Sequence, residues 1–383
     1  MRVVQAVFGV FHHFELAHQL DSRRMLTKVY STWPWRRLQR EGLPHSKVET
    51  FPWIHTADYL LHRTPFGNRR LADELGYLNA LAFDNWTAKR MPVCDVLVAI
   101  SGAGLKTGKL LQERGGRFVC DRGSSHQRYQ AEINLEEYRR WGLEISSADD
   151  RDTVREEQIY DAADAITVPS TYSLKSFMQQ GIDASKLHRI PYGVRLSRFR
   201  KEADPLEGSF DVIYVGNISM HKGFPYLLQA FAGLQHPRKR LYMVGSISRE
   251  MKPVLDKMPL EQVEFVGHVP QEQLKNWMSH AQVLVLPSID DGFGMVMTQA
   301  MACGCPVIAT DHTGGPDLID EGRDGFVVPI RSPEAIREKF ELLASTPYLR
   351  EQMGAAALEK VTKLGGWDTY GDAWEQFLKN LVQ

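Results

Sequence analysis

Cysteine is scarce in this chain of 383 residues, with four in all: Cys94, Cys120, Cys303 and Cys305. So few thiols, so widely spread, cannot staple a chain of this size, and Cys303-Gly-Cys305 has neither the spacing of a redox CxxC pair nor that of half a zinc site. A disulfide scaffold is excluded, and the thiols read as reduced and buried. Net charge is nearly lacking too, with 46 Lys+Arg against 47 Asp+Glu for a formal −1. A protein whose main work is neutralising nucleic-acid phosphates carries a clear basic excess, so no nucleic-acid partner is expected. Long apolar runs are also missing. Nothing approaches the roughly 18 unbroken apolar residues of a membrane-spanning helix, and the first short run turns polar at His12 and His13. A cytoplasmic location is the expectation.

What is present is an ordinary globular composition, 43% hydrophobic and 24% charged. At roughly 150 residues per domain, the length suits about two domains. Short apolar runs alternate with helical patterns: Arg2–Phe8, Asp95–Ser101, Arg117–Cys120 and Ala165–Val168, then Val212–Gly216, Arg240–Val244, Val263–Phe265 and Val283–Leu286. This alternation predicts an α/β chain of parallel sheets flanked by helices. The polar stretch 196–209, with Lys201, Glu202, Asp204, Pro205, Glu207 and Gly208, reads as a linker between a first domain, 1–195, and a second, 210–366. Beyond Gly365-Gly366, residues 367–383 carry Tyr370, Trp374, Phe377 and Leu378 at helical spacing and are expected to fold back on the body.

Three segments carry phosphate-binding signals. Ser101-Gly-Ala-Gly-Leu-Lys-Thr-Gly-Lys-Leu follows a strand and opens a helix, and Asp121 ends the next strand. It imitates a dinucleotide fingerprint, but Gly102, Gly104 and Gly108 are spaced GxGxxxG, and Leu110 stands where a Walker A loop needs Ser or Thr. A plain strand-to-helix turn is the simpler reading, with a nicotinamide-dependent oxidoreductase as the outside alternative. The second segment, Phe210–Phe224, is a strand, a glycine turn at Gly216-Asn217 and then Lys222 just before a helix, where an ammonium can meet a phosphate. The third runs from Pro287 through Asp291-Gly292-Phe293-Gly294-Met295-Val296 to Gln299 and a glycine stop before Pro306-Val-Ile-Ala-Thr. Amides at a helix start, with the helix dipole behind them, suit a diphosphate. Asp291 precedes those amides and Gln299 lies within the helix, so both can face one ligand.

Taken together, Ala165–Ser170 with Ile190-Pro-Tyr-Gly-Val, Val215-Gly-Asn with His-Lys222-Gly, Val266-Gly-His268-Val269, Asp291–Ala300 and Thr313-Gly-Gly-Pro-Asp resemble the family 4 retaining glycosyltransferases. The resemblance implies the GT-B fold, two Rossmann-like domains with parallel sheets facing across a cleft. It implies a nucleotide-diphosphate sugar as co-substrate, no cofactor, no metal, and transfer of a hexose-type sugar to a glycan, lipid-linked or small-molecule acceptor. It also places Lys222 and the Phe293–Val296 amides on the donor diphosphate, Asp291 on the sugar, Gln299 on the ribose, and His268 and Val269 beside the base. Gly9 would offer its amide to the diphosphate, and Asp121, Arg122 and His126 fall where the family often has a histidine near the donor sugar. His12 and His13 are weaker candidates. The pattern departs from the family's two glutamates separated by seven residues, since Asp291 and Gln299 stand there, and from its Gly-Arg turn, since Asn217 follows Gly216. A nucleotide-sugar-binding pseudoenzyme is therefore the main alternative.

The segment from Ser22 to Arg70 is locally basic. Arg23, Arg24, Lys28, Arg36, Arg37, Arg40, Lys47, Arg63, Arg69 and Arg70 face only Glu41, Glu49 and Asp58, with Trp33, Trp35 and Trp53 interleaved. Such a stretch suits an anionic membrane surface or a basic acceptor groove.

Overall fold

The computed structural model describes residues 1–56, 69–143 and 150–383. The first domain is a seven-stranded parallel sheet of order β3-β2-β1-β4-β5-β6-β7. Its strands are β1 (Val3–Val7), β2 (Leu26–Ser31), β3 (Val48–Thr50), β4 (Val96–Ile100), β5 (Arg117–Asp121), β6 (Ala165–Val168) and β7 (Leu187–Arg189). The second holds six parallel strands in the order β10-β9-β8-β11-β12-β13: β8 (Phe210–Val215), β9 (Lys239–Val244), β10 (Val263–Gly267), β11 (Val283–Leu286), β12 (Val307–Thr310) and β13 (Gly325–Val328). Central strands such as Val283–Leu286 are buried along their whole length, because helices cover both faces of a parallel sheet.

Six helices matter for the site: α1 (Phe11–Ser22), α2 (Gln127–Arg140), α3 (Thr171–Gln179), α4 (Phe224–Gly233), α5 (Met295–Ala302) and α6 (Gly366–Val382). The last, α6, buries Trp367, Tyr370, Trp374, Phe377 and Leu378 in the core of the first domain, among Phe14, Leu16 and Leu20 of α1. Burying a large apolar side chain contributes about 1.5–3 kcal/mol, so these residues anchor the chain's last segment firmly to its first domain. Arg23, just past the end of α1, reinforces the contact through Asp372 at 2.5 Å and Glu375 at 3.2 Å. Between the domains, Ile190 packs in the first core, whereas Val194 and Phe199 pack in the second.

All strands of a parallel sheet end at one edge, and ligands of such folds bind beyond those carboxyl ends. Here the two carboxyl edges meet. Ser125 and Gln130 beyond β5, and Tyr172 on α3, reach across to Asp290 beyond β11.

Candidate active site

The turn after β8 runs through Met220–Lys222 and ends at Gly223, which enters α4. It aims the Lys222 ammonium at the loop after β11, where Nζ donates to Asp291 Oδ2 at 2.5 Å. The other carboxylate oxygen accepts from the Phe293 amide at 3.3 Å. Burial opposes charge on Asp291, yet Lys222 beside it holds the carboxyl below the usual carboxylate range. Burial and the same ammonium push the neighbouring His221 ring down to about 4, while its backbone carbonyl accepts from the amides of Ile289 and Asp290.

Gly294 takes a left-handed φ of 78° that turns the chain into α5. The first amides of a helix have no acceptor within it, so those of Met295 and Val296 are left open at the start of α5, in the same loop as Asp291. A cation and helix-start amides are the donor set a diphosphate needs. Gln299 is half-buried on the same helix. Asn217 is engaged differently from a phosphate-directed arginine: its amide nitrogen donates to Ser248 Oγ at 3.1 Å and its oxygen accepts from Ser246 at 3.0 Å. His268 is exposed and Val269 half-buried just past β10.

The first domain brings Asp121, a candidate from the sequence, together with the weaker candidates His12 and His13. Asp121, at the end of β5, accepts at Oδ2 from His12 Nε2 at 3.0 Å and His13 Nδ1 at 3.2 Å, and at Oδ1 from the Thr167 hydroxyl at 2.9 Å. Burial works against its charge, but the two histidines hold it well below the usual range. Burial, with His12 adjoining, lowers His13 to about 4. Gly9 lies half-buried between β1 and α1, just ahead of these histidines.

The candidates of this region have different partners. Asp121 and Arg122 do not pair with each other: Arg122 turns the other way, to Glu156 at 2.9 Å and the Ser125 carbonyl at 2.9 Å. His126 does not join Asp121 either. It caps α2, its Nδ1 accepting from the Arg128 amide at 3.2 Å, and its ring lies against Tyr160 and Phe177. Burial pushes it down to about 4. Nor is the chain without metal-ligand-type groups, since the donor atoms of His12, His13 and Asp121 lie within 4.8 Å of one another.

The residues that join the domains were not singled out from the sequence. Asp290 is 1% exposed and accepts from Ser125 at 2.5 Å, Tyr172 at 2.7 Å and Gln130 at 2.5 Å. Glu137 of α2, fully buried, accepts from Tyr226 at 2.6 Å and Arg331 at 2.7 Å of the second domain. The only signal available beforehand was an unexplained second acid beside Asp291.

The glycosyl transferases group 1 family matches residues 197–360, which carry Lys222, Asp291 and α5. Residues 197–360 form a glycosyl transferases group 1 domain. Among curated relatives, a D-inositol 3-phosphate glycosyltransferase of Streptomyces scabiei is 32% identical over 244 residues, 56% of this chain and 54% of that protein. The chain thus spans about half the length of the curated relatives it matches. Two solved structures share the whole architecture. Sucrose-phosphate synthase of Thermosynechococcus elongatus has a TM-score of 0.75 at 20% identity, covering 100% of this chain and 99% of that one. Anabaena HepE in complex with UDP-glucose has a TM-score of 0.70 at 16% identity, covering 99% and 100%. The fold is GT-B, two Rossmann-like domains of which the group 1 domain is the second.

Outside the group 1 domain, the turn at Gly102–Gly108 has its helix amides occupied. Asp84, buried, accepts from the amides of Lys106 at 2.8 Å and Thr107 at 3.1 Å and pairs with Arg155 at 2.9 Å. A carboxylate therefore fills the place a pyrophosphate would take, which is why a fingerprint-like sequence folds as a plain turn. The basic segment is partly neutralised within the chain: Arg23 by α6, Arg37 by Glu41 at 2.8 Å and Lys47 by Asp21 at 2.9 Å. Trp33 and Trp35 are half-buried against the first core, while Trp53 is 75% exposed. Arg63 and Asp58 lie outside the described residues, as do the side chains of Arg69 and Arg70. Among the described residues, no helix is long and apolar enough to cross a membrane.

Proposed function

We propose that the chain is a retaining, metal-independent glycosyltransferase that moves a hexose-type sugar from a nucleotide-diphosphate sugar to a carbohydrate, lipid-linked or small-molecule acceptor. The observation that carries this reading is the Lys222 ammonium held against Asp291 in the loop that opens α5, next to the seam where Asp290 meets the first domain. In glycosyl transfer the charge that grows most is on the departing diphosphate, and donors already aimed at it lower the barrier without reorganising. Lys222 is neutralised by Asp291 before the donor arrives. The diphosphate then takes the ammonium, and Asp291 is released to accept from sugar hydroxyls.

The match of the group 1 domain supports a sugar-transfer chemistry, and the UDP-glucose bound in Anabaena HepE, which shares this fold, supports a nucleotide-sugar donor. A cytoplasmic setting, with Trp53 and the exposed Arg36 and Arg40 toward an anionic surface, completes the reading. A screen of donor hydrolysis over nucleotide sugars, followed by acceptor screening with the best donor, tests it. Release of nucleoside diphosphate from at least one donor is expected; silence across the panel, with nucleotide still bound, would favour a pseudoenzyme.

A further inference from the structure

Three ionisable side chains, His12, His13 and Asp121, are buried where the domains meet. Burying such groups is costly unless they pair and hydrogen-bond with one another, as Asp121 does with both histidines. An ionised carboxylate only accepts hydrogen bonds, so the two ring nitrogens facing Asp121 carry their hydrogens. The His12 hydrogen that faces Asp121 is therefore the one on Nε2, and the ring nitrogen left to accept is Nδ1. Tyr192 stacks on the ring at 4.3 Å between centroids and brings its hydroxyl to 3.2 Å from Nε2, which fixes the ring's plane.

The Cε1 corner of that ring, between its two nitrogens, faces Gly123: a Cβ on Gly123 would stand 2.9 Å from the Tyr192 hydroxyl, 3.2 Å from His12 Cε1 and 4.0 Å from Nδ1. Gly123 presents its other side to the donor loop, where a Cβ on Gly292 would overlap the Gly123 carbonyl. Glycine thus stands on both sides of the seam, and a single residue separates the acceptor edge of His12 from the residue that follows Asp291. The His12 side chain keeps 8% of its surface exposed.

We propose that His12 is a catalytic residue whose Nδ1 accepts a hydrogen bond from a sugar hydroxyl at the transfer centre, with Asp121 the positioning residue that fixes its tautomer. The proposal rests on the glycosyl-transfer reading above. The hydroxyl belongs either to the transferred sugar or to the acceptor, and the two are separable, because donor hydrolysis needs no acceptor. His13 shares Asp121 but lies deeper, 2% exposed, and acts as a second donor that keeps the carboxylate charged.

The test compares His12→Ala, His12→Asn, His12→Gln and Asp121→Asn in the full chain, reading donor hydrolysis, transfer, and uridine or guanosine diphosphate affinity by calorimetry. His12→Ala is expected to lower turnover about 100-fold, the scale of a lost catalytic contact, while the nucleoside diphosphate Kd stays within about threefold. The asparagine amide reaches the place of Nδ1 and the glutamine amide that of Nε2. His12→Asn should therefore recover part of the loss, and His12→Gln should not. Asp121→Asn can donate to Nε2 and move the hydrogen to Nδ1, so it should lose kcat to a similar degree at nearly unchanged KM.

Parallel loss of hydrolysis and transfer assigns the hydroxyl to the donor; loss of transfer alone assigns it to the acceptor. Turnover within about threefold for His12→Ala, or equal activity of the asparagine and glutamine variants, overturns the proposal. So does one equivalent of bound metal whose removal abolishes turnover, since His12 and Asp121 would then be ligands. Should His12→Ala fail to fold, the asparagine–glutamine comparison still decides. A wild-type chain that turns over no donor would instead defeat the glycosyl-transfer reading itself.

Discussion

Lys222→Ala separates catalysis from stability at a single position, because the Lys222 ammonium has two partners at different times. In the unliganded fold it holds Asp291 at 2.5 Å, with the two side chains 21% and 18% exposed. Its removal leaves Asp291 with the longer bond from the Phe293 amide, 3.3 Å. Partly exposed pairs contribute less than buried ones, so the stability loss should be about 1–2 kcal/mol, short of the roughly 3–5 kcal/mol for breaking a buried pair. During transfer the ammonium faces the charge growing on the leaving diphosphate, and losing such a preorganised contact costs about 3 kcal/mol, on the order of a hundredfold in turnover. Adding Asp291→Asn removes the stranded charge, so the double variant should regain most of the stability and none of the turnover. Urea unfolding and single-turnover donor hydrolysis read the two effects independently. Unchanged turnover in Lys222→Ala would make Lys222 a surface lysine and refute the reasoning.

Other expectations follow from the same geometry. Gln299→Glu should preserve activity and tighten the donor modestly, since a charge-assisted hydrogen bond to a ribose is about twice as strong as a neutral one, while Gln299→Ala should raise the donor Kd about tenfold; loss of donor binding in Gln299→Glu would put the ribose elsewhere. Asp290→Asn weakens three bonds across the domain seam, so small-angle scattering should show a larger radius of gyration and urea a loss of about 2–3 kcal/mol; an unchanged pair of values would remove Asp290 from domain closure. His13, His126 and His221 are each lowered to about 4 in the fold. The unfolded chain protonates them near pH 6.5, so between about pH 6.5 and 4 it binds more protons and stability falls as pH falls, by up to about 3 kcal/mol for each histidine. His126→Asn keeps the cap and should remove one proton's worth of that slope. Anionic vesicles at low salt should retain the protein through Arg36, Arg40 and Trp53; free protein in the supernatant would leave the basic segment to an acceptor.

The second domain was legible because its strands, such as Val283–Leu286 and the 212–214 part of β8, lie buried on both faces and so appear as unbroken apolar runs. Three-residue edge strands such as Val48–Thr50 and Leu187–Arg189 carry Glu49 and His188 and have too few residues to show a period. The loop after β11 that carries Asp291 was legible because its parts are adjacent in sequence. The His12–Asp121 pair was not, since its members are 109 residues apart and a histidine at a helix start has no local mark of its partner. Asp290 and Asp291 show the same limit at closer range. They are neighbours of like chemistry, and only the path of the loop sends one to Lys222 and the other to Ser125, Gln130 and Tyr172.

Proton NMR of the product formed from a nucleotide sugar in excess EDTA tests the proposed chemistry most directly. The anomeric coupling of the new glycosidic bond should match that of the donor, with turnover undiminished by the chelator, because the leaving diphosphate is met by Lys222 and the α5 amides. An inverted anomer, or no sugar transfer from any nucleotide sugar, would contradict it.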